Sequence, residues 1–121
     1  MSPAISHRTP YEEAGLVPTH QKAIVADELG SLVVKSDVQL PRLEADMLLV
    51  RTATVALNPV DVKLTGAMAA PGATSGSDCA GVVVAMGSAV SAESRFAIGN
   101  RICAPVTSMN PLAPRDGAFA D

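Results

Sequence analysis

Asn58, Pro59, Asp61 and Lys63 hold the densest chemistry in this chain, at the point where an apolar run ends and a helical pattern begins. An asparagine at a helix start offers a side-chain acceptor for a backbone N–H that the first turn leaves unpaired. Proline suits the first helical position, where no N–H is needed. Asp61 then stands third in the helix. From there its carboxylate reaches back to the Asn58 N–H as in a capping box, and the helix dipole favours negative charge at that end. Lys63 follows one turn after the cap. Backbone donors and one ammonium at the edge of a cleft suit a phosphate, a ribose or a carbonyl oxygen. The same strand-to-helix turn also occurs purely for stability, so the motif needs support from the rest of the chain.

The remaining polar groups narrow the options. Ser77 and Asp78 either face the same cleft or satisfy local backbone, the second being the usual role of polar residues where a strand starts. Thr107 to Asn110 form a further loop that could border a substrate pocket. Cys79 and Cys103 are the only cysteines, and His7 and His20 the only histidines. No paired Cys and His spacing of a zinc site is present, so no metal is expected. Gly76 and Gly81 are spaced like the glycines of a phosphate-binding P-loop. Val82 and Val83 stand where that motif needs Lys and Ser or Thr, which excludes it.

The elements that position these groups read as short strands. Lys22 to Ala26 is an apolar run followed by a turn at Asp27 to Gly30, and Ser31 to Val38 is a second strand that pairs with it as a hairpin. Met47 to Ala56 is a third strand, whose latter half alternates polar and apolar residues. After it come the capped helix, Pro59 to about Thr65, and a Gly, Ala, Pro and Ser-rich loop from Gly66 to Ser77. A loop of that length is usually functional or mobile. Val82 to Met86 reads as a buried strand stopped by Gly87, with Gly81 marking a bend or close backbone approach. Gly99-Asn100 is a turn before the strand Arg101 to Ala104, and Ala118 to Asp121 looks like a strand beginning. Successive short strands with glycine turns point to a barrel or sandwich.

Composition sets the outer bounds. With 121 residues there is room for one modest domain and no need of covalent staples. Aromatic residues are 2% of the chain against 48% hydrophobic, so the core is expected from Val, Leu, Ile, Ala and Met. The scarcity of stacking residues and a net charge of −3 disfavour nucleic-acid binding. No apolar run approaches a membrane span. Residues 1–19 read as a flexible tail, broken by Pro3, Pro10 and Pro18 and lacking the continuous apolar segment of a secretory signal. A cytoplasmic setting follows, with both cysteines reduced and serving as small core residues.

Three separated stretches together carry a resemblance: Val55-Ala56-Leu57-Asn58-Pro59-Val60-Asp61, Gly76-Ser77-Asp78-Cys79-Ala80-Gly81-Val82-Val83, and Gly99-Asn100-Arg101. In this order they resemble the N-terminal catalytic domain of medium-chain dehydrogenases and reductases, within them the non-zinc quinone and enoyl reductase branch. Leu16-Val17-Pro18 with Gln21 to Val25, and Met109 to Pro114 with Gly117 to Ala120, are similar to the trans-acting enoyl reductases that serve fungal polyketide synthases. The resemblance implies a mainly β fold with short helices, a partial GroES-like (chaperonin-10-like) β-barrel that in the family joins a Rossmann domain, with NADPH between the two.

Zinc-dependent relatives have cysteine where Asn58 stands and histidine where Ser77 stands, so the resemblance, like the spacing, implies no zinc. Their cysteine-rich structural zinc lobe is missing as well. No Gly-x-Gly-x-x-Gly follows a strand, so the cofactor domain is expected beyond Asp121, and residues 20–121 read as an incomplete GroES-like domain. The implied reaction is hydride transfer from nicotinamide to the β-carbon of an enoyl thioester, followed by protonation of the α-carbon. By the same resemblance Val60, Asp61, Val62 and Lys63 line the nicotinamide end of NADPH. Lys63 is the catalytic candidate, bonding ribose or substrate and assisting proton delivery. The implied partner is the acyl-carrier domain of a polyketide synthase, met by a monomer. The isolated chain is expected to be inactive. Two readings stay open beside it: an inactive truncated product, and a stand-alone β-barrel interaction module.

Overall fold

The computed structural model describes residues 18–93 and 95–121, and its first feature is the expected hairpin. Strand β1 (His20–Ala26) pairs antiparallel with β2 (Leu32–Gln39). Asp27 builds the turn. Its Oδ1 accepts from the N–H groups of Leu29 and Ser31, both at 2.9 Å, the local side-chain bonding that makes aspartate a turn residue. The expected tail at residues 1–19 lies, up to residue 17, outside the described residues.

A second sheet takes β3 (Leu48–Val55), β4 (Asp78–Met86) and β5 (Arg101–Pro105) in the order β3-β4-β5, all antiparallel. β4 starts at Asp78, earlier than the apolar run that announces it, because Cys79 and Ala80 are paired on both sides, to Val55 and Thr54 and to Ala104 and Cys103. Gly81, Val83 and Ala85 form its buried face. The expected close approach at Gly81 is present: a Cβ there would collide with the Arg51 carbonyl oxygen of the neighbouring strand.

Between β3 and β4 lie helix α1 (Pro59–Lys63) and a single 3-10 turn, Gly66–Met68. Helix α2 (Ser88–Glu93) follows β4 and had no counterpart in the sequence reading. It is anchored by the Ala45 carbonyl, which accepts from Ala89 N–H at 2.9 Å.

The glycine-rich segment before β4 departs most from expectation. Ala73, Thr74 and Ser75 are buried to 1% exposure or less. Their backbone runs along the free edge of β1: Ala26 N–H donates to Ala73 O (3.1 Å) and Ser75 N–H to Ile24 O (2.9 Å). Farther along the same edge the chain end takes over, with Ile24 N–H donating to Phe119 O (2.8 Å) and Asp121 N–H to Lys22 O (3.0 Å). Ala120 bridges Ala23, so the strand expected to begin at residue 118 is a single bridge. The segment is therefore neither open nor free, because leaving these donors and acceptors unpaired in the interior would cost too much.

The core is small and assembled from small residues. Ala23, Val25, Ala26, Ala73, Val83 and Ala85 are buried, with Met109 and Phe119 as its bulky members. Leucine and isoleucine, expected inside, are nowhere fully buried among the described residues, and Leu29, Leu57 and Leu112 are among the most exposed side chains. The cysteines are not core residues either. β5 alternates exposed and half-buried positions and places Cys103 outward, while Cys79 is half-buried.

Candidate functional site

The corner from β3 into α1 holds the sequence-predicted residues, and it is tied by side chains more than by packing. Pro59 opens the helix as expected, and Asn58 and Asp61 occupy the two positions of a capping box. The Asp61 half is tight, its Oδ2 accepting the Asn58 N–H at 2.7 Å. Asp61 is buried, at 6% exposure, and its other oxygen faces the Ser77 hydroxyl at 3.5 Å. The Asn58 side chain has a further partner: its Nδ2 donates to Asp78 Oδ2 at 3.0 Å, while Asp78 Oδ1 accepts the Ala56 N–H at 3.1 Å.

Four residues from two elements thus close a ring: Asn58 to Asp61, Asp61 to Ser77, Ser77 along the chain to Asp78, and Asp78 back to Asn58. Ser77 and Asp78 had two readings, and this geometry favours local satisfaction. The part that sequence reasoning missed is the Asn58 contact of Asp78. Adjacent placement of a carboxylate at the start of one strand and an amide at the end of its neighbour is a register property, invisible until β3 and β4 are paired.

Beyond the ring the rim is exposed. Val60 keeps 37% and Val62 75% of its surface, and Lys63 is exposed at the end of the helix. Lys63 forms no ion pair among the described residues. Branched apolar surface next to an unpaired ammonium suits an amphipathic ligand, with the flat group on the valines and an oxygen on the lysine.

A cavity of about 520 Å³ lies elsewhere. It is lined by Leu40, Leu43, Leu48, Val50 and Ile102, and includes none of residues 58–63. Thr107 borders it, whereas Met109 is buried against Ala26 and Ala73. Cys79 also borders it, and its thiol is pushed up from the ordinary range by burial first, then by the negative charge of Asp78 and by Cys103. His20 is at the exposed start of β1, with Nδ1 3.0 Å from Thr19 Oγ1 and Nε2 3.9 Å from Asp37. Among the described residues no three of His, Cys, Asp and Glu gather as a metal site would need. No described helix is long and apolar enough to cross a membrane.

A family profile for the alcohol dehydrogenase GroES-like domain matches residues 44–119, from the turn before β3 to the buried Phe119. The chain belongs to this family. The GroES-like segment is also similar to curated proteins over nearly its whole length. It is 49% identical to the trans-enoyl reductase FSL5 of Gibberella zeae over 86% of the chain. It is 49% identical to the trans-enoyl reductase thnE of Trichoderma harzianum over 88%, and 42% identical to the trans-enoyl reductase phmE of Phaeosphaeria nodorum over 94%. The chain spans only 29%, 29% and 33% of the lengths of these three relatives. Family membership accounts for the mainly β fold with short helices, and the ring described above lies inside the matched residues.

Proposed function

We propose that this chain forms the nicotinamide-side wall of an NADPH-dependent trans-acting enoyl reductase of polyketide biosynthesis. The observation that carries the reading is the level and extent of identity: proteins named trans-enoyl reductases share 42–49% of residues across most of this chain. Residues 20–121 are read as a GroES-like portion that works with a separate dinucleotide-binding domain.

Val60, Val62 and Lys63 would hold the nicotinamide end of the cofactor, with Asp61 behind them. The fit rests on the exposed valines, which offer apolar contact for a ring, and on Lys63, whose ammonium is not consumed by a carboxylate among the described residues. Asp61 acts indirectly, because both its oxygens are turned toward Asn58 and Ser77. What NADPH supplies when bound is hydride for an electron-poor double bond. Lys63 donates a hydrogen bond to a ribose hydroxyl or to the substrate carbonyl oxygen, steadying the charge that develops there, and assists protonation of the α-carbon. The substrate is an enoyl thioester presented by an acyl-carrier domain of a polyketide synthase, and the protein meets it as a cytoplasmic monomer.

The test is NADPH consumption by the full-length protein with a short enoyl thioester, followed as loss of nicotinamide absorbance. Lys63→Ala is expected to lower turnover by about a hundredfold if it assists proton transfer, and unchanged kinetics would remove it from the mechanism. A folded protein with no NADPH affinity and no reduction would overturn the assignment and favour the interaction-module reading.

A further inference from the structure

We infer that Asp78 is a positioning residue, which holds α1 and its rim at a set angle to the β-sheet through Ala56 and Asn58; this rests on the reductase reading for what the rim does. The far end of α1 is held by Leu64, which packs against the Ala26, Ala73 and Met109 cluster, and by Gly66 N–H donating to Gly30 O at 3.0 Å, whereas the near end is held by polar contacts. Leu57, the apolar residue at the apex of the corner, is 86% exposed and adds no buried apolar contact to the turn. The helix that follows is five residues long, too short to be stable on its own, since fixing a first turn is unfavourable before later hydrogen bonds repay it. Its orientation must therefore come from outside the helix.

Asp78 supplies that link from the first position of β4, a strand paired on both edges and so fixed in the sheet. One oxygen takes the Ala56 N–H at 3.1 Å, just past the end of β3, and the other takes Asn58 Nδ2 at 3.0 Å, at the helix cap. Asn58 is held from its second side by Asp61, which accepts its backbone N–H at 2.7 Å. Asn58 thus donates from both main chain and side chain to two carboxylates, one belonging to the helix and one to the sheet. Neither Asp78 oxygen is directed at the rim residues themselves, so its influence on Val60 to Lys63 passes through Asn58.

The experiment is Asp78→Asn in the full-length protein, with amide hydrogen exchange and steady-state kinetics measured together. Loss of the charged acceptor is expected to raise exchange at Ala56 and Asn58 by about tenfold, with the β1–β2 hairpin unchanged. KM for NADPH is expected to rise by about tenfold, while KM for the enoyl thioester stays within about twofold. Asp78→Glu keeps both acceptor oxygens and is expected to recover most of the exchange protection. Val83→Ala, at a buried position farther along β4, is the control for simple destabilisation: it should lower the melting temperature and leave KM for NADPH unchanged.

A uniform rise in exchange across the protein, or unaltered exchange at Ala56 and Asn58, would overturn the proposal. If Asp78→Asn does not fold, Asn58→Ala removes the Nδ2 contact with Asp78 from the other side; exchange is then expected to rise at position 58 and Asp61 while Ala56, still bonded to Asp78, keeps its protection, and unaltered exchange at position 58 and Asp61 would overturn the proposal. Should the wild-type protein consume no NADPH, the reductase reading falls by itself. The local exchange pattern then decides alone whether Asp78 holds α1.

Discussion

Residues 73–76 have the composition of a loop and are the longest unbroken buried run in the described chain, whereas residues 56–63 carry Leu57, Val60 and Val62 and stand mostly in solvent. Hydropathy ranks the two regions in the wrong order. Burial here follows backbone pairing: the small side chains of 73–76 let β1, the 109–114 loop and the chain end all approach one strand of backbone. Thr74 shows it, giving its N–H to Pro114 O at 2.7 Å and accepting from Met109 N–H at 3.0 Å. Larger residues would have kept those partners apart. The rim, by contrast, is organised by four polar side chains and leaves its apolar residues free for contact.

The sharpest way to break this contrast is to add volume to the buried segment. Gly76 has φ +102, a region that L side chains rarely adopt, and a Cβ on it would lie 2.6 Å from the Phe119 backbone nitrogen. Gly76→Ala is expected to destabilise by about 3 kcal/mol or more, read by denaturant unfolding, and a cost near zero would mean that the segment is looser than its hydrogen bonds imply. Phe119→Ala removes the large residue that faces this glycine, at 9% exposure, and should cost about 3 kcal/mol in the same assay.

At the rim the same measurements should give smaller numbers. Asp61→Ala loses the Asn58 bond and the weaker Ser77 contact, for about 1.5 kcal/mol, and a loss of stability as large as that from Gly76→Ala would erase the distinction between the regions. The smallest effect concerns the cysteines. Because burial and Asp78 raise the Cys79 pKa, its thiol stays protonated to higher pH than an unfolded one. Any contribution it makes is fully present below the unfolded thiol pKa and is lost as pH rises through the folded value. Alkylation should accordingly reach the outward Cys103 first and Cys79 only at higher pH, as peptide mass mapping would show.

Much of the frame was legible before any coordinates. The β1–β2 hairpin follows from Asp27 and Gly30 between β-branched runs, β3 from its alternation, and α1 from Asn58-Pro59 with Asp61 three residues on. α2 has no local signal because Ser88–Glu93 is a short run of mostly small residues with no apolar period, and its anchor is the distant Ala45 carbonyl. Ser77 and Asp78 were visible as a polar pair at the start of β4. That Asp78 would bond Asn58 was not, since the contact exists only in one pairing register.

Local chemistry alone determined where the chain turns and where the helix is capped, because those features depend on residues a few positions apart, and the order of separated motifs along the chain carried the family resemblance. Tertiary structure decided what is inside. Ala73 to Gly76 became core and Leu57 surface because buried backbone donors and acceptors must find partners, and those partners were β1, the 109–114 loop and the chain end, each brought close only by the completed fold.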